Sequence, residues 1–193
     1  MIEGRIVWDG SRCIGCKSCE AACAECDDHK GKPNVHVEEI EALTKHTSPT
    51  VCMHCQSCAW GCPTEAIVVD GDGIVHTAIA SRCISCGNCA LACPFGVPRV
   101  TVGVTPMRKC DLCFARTGVG LEPACASVCP SGALFFGKSD DFVTERPGAA
   151  ITRVVHIGRE RVETRNAIVV GRGDSELTLE SPALIALEFE RDE

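Results

Sequence analysis

Cysteine spacing constrains this chain more than any other feature of it. From Cys52 the sequence reads CMHCQSCAWGCP, and after the connector TEAIVVDGDGIVHTAIASR the arrangement returns as CISCGNCALACP. Both are C-x2-C-x2-C-x3-C-P runs, the spacing that holds paired [4Fe–4S] clusters. Three thiolates two residues apart wrap one cluster, because a short loop turns back on itself at each ligand. The fourth lies a helical turn further on, points away and serves the cluster of the other run. Proline, with its fixed φ and missing N–H, then leads the chain out of the turn. The spacing therefore assigns Cys52, Cys55, Cys58 and Cys93 to one site, and Cys83, Cys86, Cys89 and Cys62 to a second.

Two further groups flank this pair. The first, CIGCKSCEAACAEC, places Cys13, Cys16, Cys19 and Cys23 at the same spacing, but with Ala24 where the proline would stand and with an additional Cys26. Cys26 reads as a spare thiol, with an alternative role as substitute ligand for Cys23. The last group has Cys110 and Cys113, an eleven-residue insertion containing Thr117-Gly118-Val119-Gly120, then Cys125, Cys129 and Pro130. A loop of that length still delivers a thiolate. Sixteen of the seventeen cysteines thus form four groups of four, and the expected cofactor is four [4Fe–4S] clusters. Zinc ribbons space isolated CxxC pairs about 15–20 residues apart and do not produce four-cysteine runs ending in C-P.

Seventeen cysteines among 193 residues is about nine per cent, a density that means disulfides or metals. Disulfides need an oxidising compartment, and the opening MIEGRIVWDGSR has neither an apolar signal core nor a twin-arginine pair. No stretch approaches the roughly 18 apolar residues of a membrane span. The expectation is a soluble, cytoplasmic chain within a larger complex. Its formal charge is −7, and four clusters with their thiolates would carry it to about −15. That balance excludes a basic nucleic-acid footprint and suits a protein partner with a basic docking face. No nucleophile–base pair, P-loop or dinucleotide motif is present, so no catalytic site is expected.

The fold expected is α+β, made of short strands and helices around the ligand loops. Arg5 to Trp8 reads as a strand followed by a turn at Asp9-Gly10-Ser11. Residues 27–50 read as a surface insertion with one short strand, and His29, His36 and His46 as surface residues. The connector after Pro63 reads as strand, Asp-Gly turn, strand, and residues 95–109 as one alternating strand. The tail from 138 to 193 contains apolar alternations broken by glycine and proline, read as several short strands. Arg159, Arg161, Arg165 and Arg172 alternate there with glutamates, as in a solvated charged face.

Four groups in this order, with the last opening on Lys-Cys-Asp, resemble the four-cluster iron–sulfur electron-transfer subunits of molybdenum and tungsten oxidoreductases. Formate dehydrogenases, dimethyl sulfoxide reductases and aldehyde oxidoreductases are of this type, and related subunits accompany some hydrogenases. The likeness covers roughly residues 10–137 and includes the CMHC of the second group. It implies two interleaved dicluster ferredoxin modules: an inner one at about 51–106 and an outer one formed by about 5–30 with 107–137. A β-rich, partner-docking extension would follow at 138–193. It further implies that Cys13, Cys16 and Cys19 take Cys129, while Cys110, Cys113 and Cys125 take Cys23. The partners implied are a catalytic oxidoreductase subunit and a second redox subunit or carrier. The function implied is passage of single electrons between them. A freely diffusing polyferredoxin serving several enzymes is the alternative.

Overall fold

Ligand loops that recur every few tens of residues leave little chain between them, so the elements are short. The computed structural model describes residues 2, 4–26, 29, 31–40, 46–171 and 174–179, without the side chains of 38–40, 46 and 179. Strand β1 (Arg5–Trp8) leads through a 3-10 turn (Gly10–Arg12) to helix α1 (Ser18–Ala24). Strands β2 (His36–Ile40) and β3 (His46–Thr50) follow, then the one-turn helices α2 (Ser57–Trp60) and α3 (Asn88–Leu91). Next come β4 (Arg99–Thr101), β5 (Thr105–Arg108), the single turns α4 (Phe114–Thr117) and α5 (Ala124–Ser127), and β6 (Leu134–Gly137). The chain continues as α6 (Ser139–Glu145), β7 (Ala150–Ile157), β8 (Glu160–Val170) and β9 (Leu177–Leu179). The fold is mixed, with small sheets and few helices.

The largest sheet has the order β6-β1-β8-β7-β9. Strand β1, which precedes the first cysteine group, pairs antiparallel with β6, which follows the last, in the register Arg5↔Gly137 to Trp8↔Leu134. The two ends of the cysteine-bearing region are thereby tied together. On its other edge β1 runs parallel to β8, with Val7 opposite Ala167 and Trp8 opposite Ile168. The hairpin β7–β8 carries a register shift between Thr152 and Val154. Its strands are eight and eleven residues long, longer than the short strands the alternation suggested.

Several expectations are revised. The insertion after Cys26 holds two antiparallel strands, β2 and β3, rather than one; HTSPT carries a proline and little strand propensity, so its pairing is imposed by the partner. The connector after Pro63 makes one isolated bridge, Val69↔Val75. Its turn is held by Asp70, whose Oδ1 accepts the Asp72 and Ile74 N–H groups at 2.9 Å each. The stretch 95–109 folds back as β4 and β5 because Gly103, at φ 72°, turns it. The tail, expected as strands alone, opens with helix α6, on which Phe142 is fully buried and packs with Val7 and Ala167.

Apolar burial is shared with sulfur. One core group joins Ile6, Val35, Val51, Met53, Leu112 and Ile168 to Cys19, Cys23 and Cys125. A second places Ala66, Ile67, Val75 and Met107 around Cys58 and Cys89.

The tail is fastened by two adjacent side chains of β8. The Arg165 guanidinium donates to the carbonyls of Ile2, Gly4 and Asp72 at 2.9, 2.9 and 3.0 Å, so it belongs to this joint and not to a solvated charged face. Asn166 is fully buried; its Oδ1 accepts the Ile6 N–H at 3.0 Å and its Nδ2 donates to the Cys52 carbonyl at 2.8 Å. Arg172 lies outside the described residues. Asn166→Ala leaves two buried backbone groups unpaired, which costs about 2–4 kcal/mol. Anaerobic thermal unfolding followed by circular dichroism should show Tm lowered by roughly 4–16 °C.

Candidate functional site

The ligand loops share one backbone solution. In each C-x2-C segment the residue before the second cysteine is left-handed: Gly15 (φ 70°), His54 (51°), Ser85 (53°) and Leu112 (64°). In three of them the residue after that cysteine is left-handed too, namely Lys17 (58°), Gln56 (69°) and Gly87 (83°), while in the last group Cys113 itself takes φ 50°. Six of these eight positions are not glycine, and each costs about 1–2 kcal/mol in an L-residue. In the first three groups the residue after the second cysteine caps a helix start, so α1, α2 and α3 begin at once and carry the third cysteine on their first turn; α5 carries it in the last group. The curled loop also turns backbone donors inward. The His54 N–H lies 3.4 Å from Cys52 Sγ, and the Leu112 N–H 3.4 Å from Cys110 Sγ.

Three cavities collect the cysteines in fours. Cys52, Cys55, Cys58 and Cys93 line one; Cys62, Cys83, Cys86 and Cys89 line a second; Cys13, Cys16, Cys19 and Cys129 line a third. The three are alike in size and in their sulfur-rich lining, so one kind of group suits all three. The remaining four thiols also neighbour one another. Cys113, Cys23 and Cys19 act on Cys125 as like charges, and Cys125 and Cys52 act likewise on Cys110. Among the described residues no three cysteine, histidine or acidic side chains converge tightly enough for a single ion. Four thiolates on one zinc would stand about 3.8 Å apart, from its 2.3 Å bonds.

The chemistry of these pockets suits an iron–sulfur group. Burial pushes the Cys19 thiol up to about 11 and those of Cys58 and Cys113 up to about 12. Cys110 and Cys125 are raised well above the ordinary thiol value, also by burial. Such thiols keep their protons in water-like conditions, and a coordinating metal removes them. All seventeen cysteines are free of disulfides. A second sign comes from His54, which lines the Cys52–Cys93 cavity. Its Nδ1 accepts the Val75 N–H at 3.0 Å, which puts the hydrogen on Nε2, and Nε2 is buried without a partner among the described residues. A sulfur-rich group held by Cys52, Cys55, Cys58 and Cys93 would offer it an acceptor.

His29 is buried, not on the surface as its polar segment suggested. Its Nδ1 lies 2.6 Å from the Cys23 carbonyl and 3.3 Å from Cys23 Sγ, and Nε2 lies 3.7 Å from Asp111. The Asp111 carboxylate, then the Cys23 thiol, push its pKa up to about 11. Cys23 also accepts the Asn34 N–H at 3.2 Å. Thr47 donates to the Cys13 carbonyl at 3.2 Å, with Cys13 Sγ at 3.6 Å. None of these four residues carries a recognisable spacing. His36 is half-buried, and the His46 side chain lies outside the described residues.

With this geometry in place, the comparisons are specific. Residues 43–139 match the 4Fe-4S dicluster domain family. The chain belongs to this family. It is 35% identical over 161 residues to the formate dehydrogenase-O iron-sulfur subunit of Escherichia coli, covering 70% of this chain and 53% of the relative. It is 36% identical over 160 residues to the nitrate-inducible formate dehydrogenase iron-sulfur subunit of the same organism, covering 70% and 54%. The thiosulfate reductase electron transfer subunit of Salmonella typhi is 39% identical over 149 residues, covering 72% and 77%. The chain spans about half the length of the formate dehydrogenase relatives. These relatives are named for iron–sulfur and electron-transfer roles in oxidoreductases, and this dicluster protein binds [4Fe–4S] clusters as a member of that group.

Cys26, read as a spare thiol or a substitute ligand for Cys23, stands beside the last cysteine group. Its Sγ lies 3.9 Å from Cys113 Sγ and 3.7 Å from the Ala22 carbonyl. Cys26→Ala should leave iron content unchanged, because each four-thiol group is complete without it. Colorimetric iron and acid-labile sulfide per chain check this, and a loss of about four irons would make Cys26 a ligand.

Proposed function

We propose that this chain is the electron-transfer subunit of an oxidoreductase complex. In this reading four [4Fe–4S] clusters are held by Cys13/Cys16/Cys19/Cys129, Cys110/Cys113/Cys125/Cys23, Cys52/Cys55/Cys58/Cys93 and Cys83/Cys86/Cys89/Cys62. The modules interleave, the inner one at about 51–106 and the outer one at about 5–30 with 107–137. A cluster bound by four thiolates has no open coordination position and accepts or releases one electron with little movement.

The observation that carries the reading is the collection of thiols in fours and the adjacency of the groups. Cys110 neighbours Cys52, and Cys125 neighbours Cys19. At Gly61 on the Cys62 side a Cβ would meet Ala92 Cβ, on the Cys93 side, at 3.1 Å. The series then runs from the Cys86 site, through the Cys55 and Cys113 sites, to the Cys16 site. Cys16 and Cys86 are the exposed ligands, and Cys113 is buried. Exposed ligands at the two ends of a series are where electrons enter and leave. The chain's own residues do the rest: left-handed loops aim N–H groups at sulfur, and apolar cores keep water from the inner sites.

Beside the exposed ends stand Ile14, next to Cys16, and Ile84, Val102 and Val104, around Cys86, at 61–72% exposure. These aliphatic patches support docking to fixed partners over free diffusion. The partners proposed are a molybdenum or tungsten catalytic subunit, or a hydrogenase, and a second redox subunit. Residues 138–193 are proposed to contribute to docking. Among the described residues no helix is long and apolar enough to cross a membrane, and a cytoplasmic setting is proposed.

Anaerobic purification from the native host should yield a large subunit carrying Mo, W or Ni in fixed ratio to this chain. A lone chain with about sixteen irons would favour the freely diffusing polyferredoxin. Within the chain, Cys93→Ser should remove or alter the electron paramagnetic resonance signal of the Cys52–Cys55–Cys58 cluster. Loss of only the Cys83–Cys86–Cys89 signal would defeat the crossed pairing.

A further inference from the structure

Lys109 is among the most completely buried side chains of the molecule, at 1% exposure, and it lines the Cys52–Cys55–Cys58–Cys93 cavity. Its Nζ donates to the Val75 carbonyl and, at 2.6 Å, to the carbonyl of Cys110. Among the described residues no carboxylate pairs with it. The nearest acid in sequence, Asp111, is engaged with His29 at 3.7 Å and feels the Lys109 charge only after that of His29. The other basic group in the cavity wall, His54, uses its Nδ1 to accept the Val75 N–H at 3.0 Å.

A buried ammonium bonded only to neutral carbonyls is costly, and such charges are found where an anion compensates them. Here the candidate anions lie on two sides. Lys109 borders one four-thiol site, where its charge acts on Cys58, and its head group holds the carbonyl of Cys110, a thiol of the next. Resting on the four-site reading above, we propose that Lys109 is the shared countercharge of two adjacent sites, Cys52/Cys55/Cys58/Cys93 and Cys23/Cys110/Cys113/Cys125. It is a positioning residue that sets the reduction equilibria of both together. Each electron placed on either site adds one negative charge beside a cation that does not move, so the ammonium favours the reduced form at both. The fold holds it in place from behind. Thr77 Oγ1 donates to the Lys109 carbonyl at 3.1 Å and accepts the Lys109 N–H at 3.4 Å, which directs the side chain inward.

The test is a potentiometric titration of the full chain followed by electron paramagnetic resonance, with signals assigned through Cys58→Ser and Cys125→Ser. Lys109→Met removes the charge at nearly constant volume, and Lys109→Gln removes it while keeping a donor. Both should make reduction at least about tenfold less favourable at the two sites that flank Lys109, a downward shift of at least about 59 mV for a one-electron couple. The Cys16 and Cys86 sites should stay near their parental potentials. Lys109→Arg, which keeps the charge, should restore most of the shift.

A residue that merely ties two carbonyls would lower Tm without selecting two potentials out of four. Unchanged potentials, a shift at all four sites, or an equal shift in Lys109→Arg each overturn the proposal. If Lys109→Met and Lys109→Gln fail to assemble while Lys109→Arg assembles, the charge is required and the proposal stands. If none of the three assembles, shape and not charge is what the position demands, and it falls. Iron analysis of the parent separates the two levels. Far fewer than about sixteen irons defeats the four-site reading itself, whereas full iron with unmoved potentials defeats only the role of Lys109.

Discussion

A thiol buried in apolar surroundings keeps its proton, because its thiolate would lose hydration without gaining a compensating charge. Cys19, Cys58, Cys110, Cys113 and Cys125 are all in that position, and burial raises each of them above the ordinary thiol range. Metal binding reverses this, and the free energy of coordination becomes free energy of folding. The core is arranged accordingly. Cysteine stands among its buried members where a chain with only 4% aromatic residues lacks larger apolar groups. The left-handed Lys17, His54, Gln56, Ser85, Leu112 and Cys113 belong to the same account. Unfavourable backbone at six non-glycine positions persists only where the surroundings over-determine it, and the demand for inward thiols and N–H groups provides that.

Much of the site was legible because ligand chemistry leaves its mark at short range. A C-x2-C-x2-C-x3-C run names its ligands within a dozen residues, and β1 with its following turn was equally plain from RIVWDGS. Less legible was whatever depends on contacts far along the chain. His29 sits in a polar stretch and reads as solvent-facing, yet Asp111 and Cys23 enclose it. HTSPT becomes a strand only because HVEEI lies opposite. Helix α6 carries Phe142 on a mostly polar heptapeptide, and its one buried aromatic finds Val7 from the other end of the chain. Tertiary pairing overrides local propensity at each of these places.

The tail illustrates how the far end serves the ligand region. Read alone, ERVETRNAIVV is an alternating charged strand. In the fold, its Asn166 closes the carbonyl of Cys52 and the amide of Ile6, while Arg165 satisfies carbonyls of the first few residues and of the Asp70–Ile74 turn. Backbone groups beside a ligand loop cannot rely on water once buried, and unpaired ones are expensive. The two ends of the chain meet there so that a loop committed to sulfur ligation still has its remaining polar groups paired.

Repetition in sequence does not make the four sites equal. The ligand loops are near copies, but the residues that contact them are not repeated. The imidazole of His29 reaches Cys23, while the neutral His54 and the ammonium of Lys109 line the Cys52 site. Cys16 and Cys86 face solvent, where water screens charge; Cys113 and Cys125 are buried. Hydrogen bonds, burial and nearby charge are the means by which protein sets the behaviour of an iron–sulfur group whose ligands are the same. A duplicated ligand scaffold with unduplicated surroundings can therefore give chemically identical sites distinct affinities for an electron. The proposed series of sites needs that inequality if electrons are to cross it with direction, and here it comes from residues that the repeats do not share.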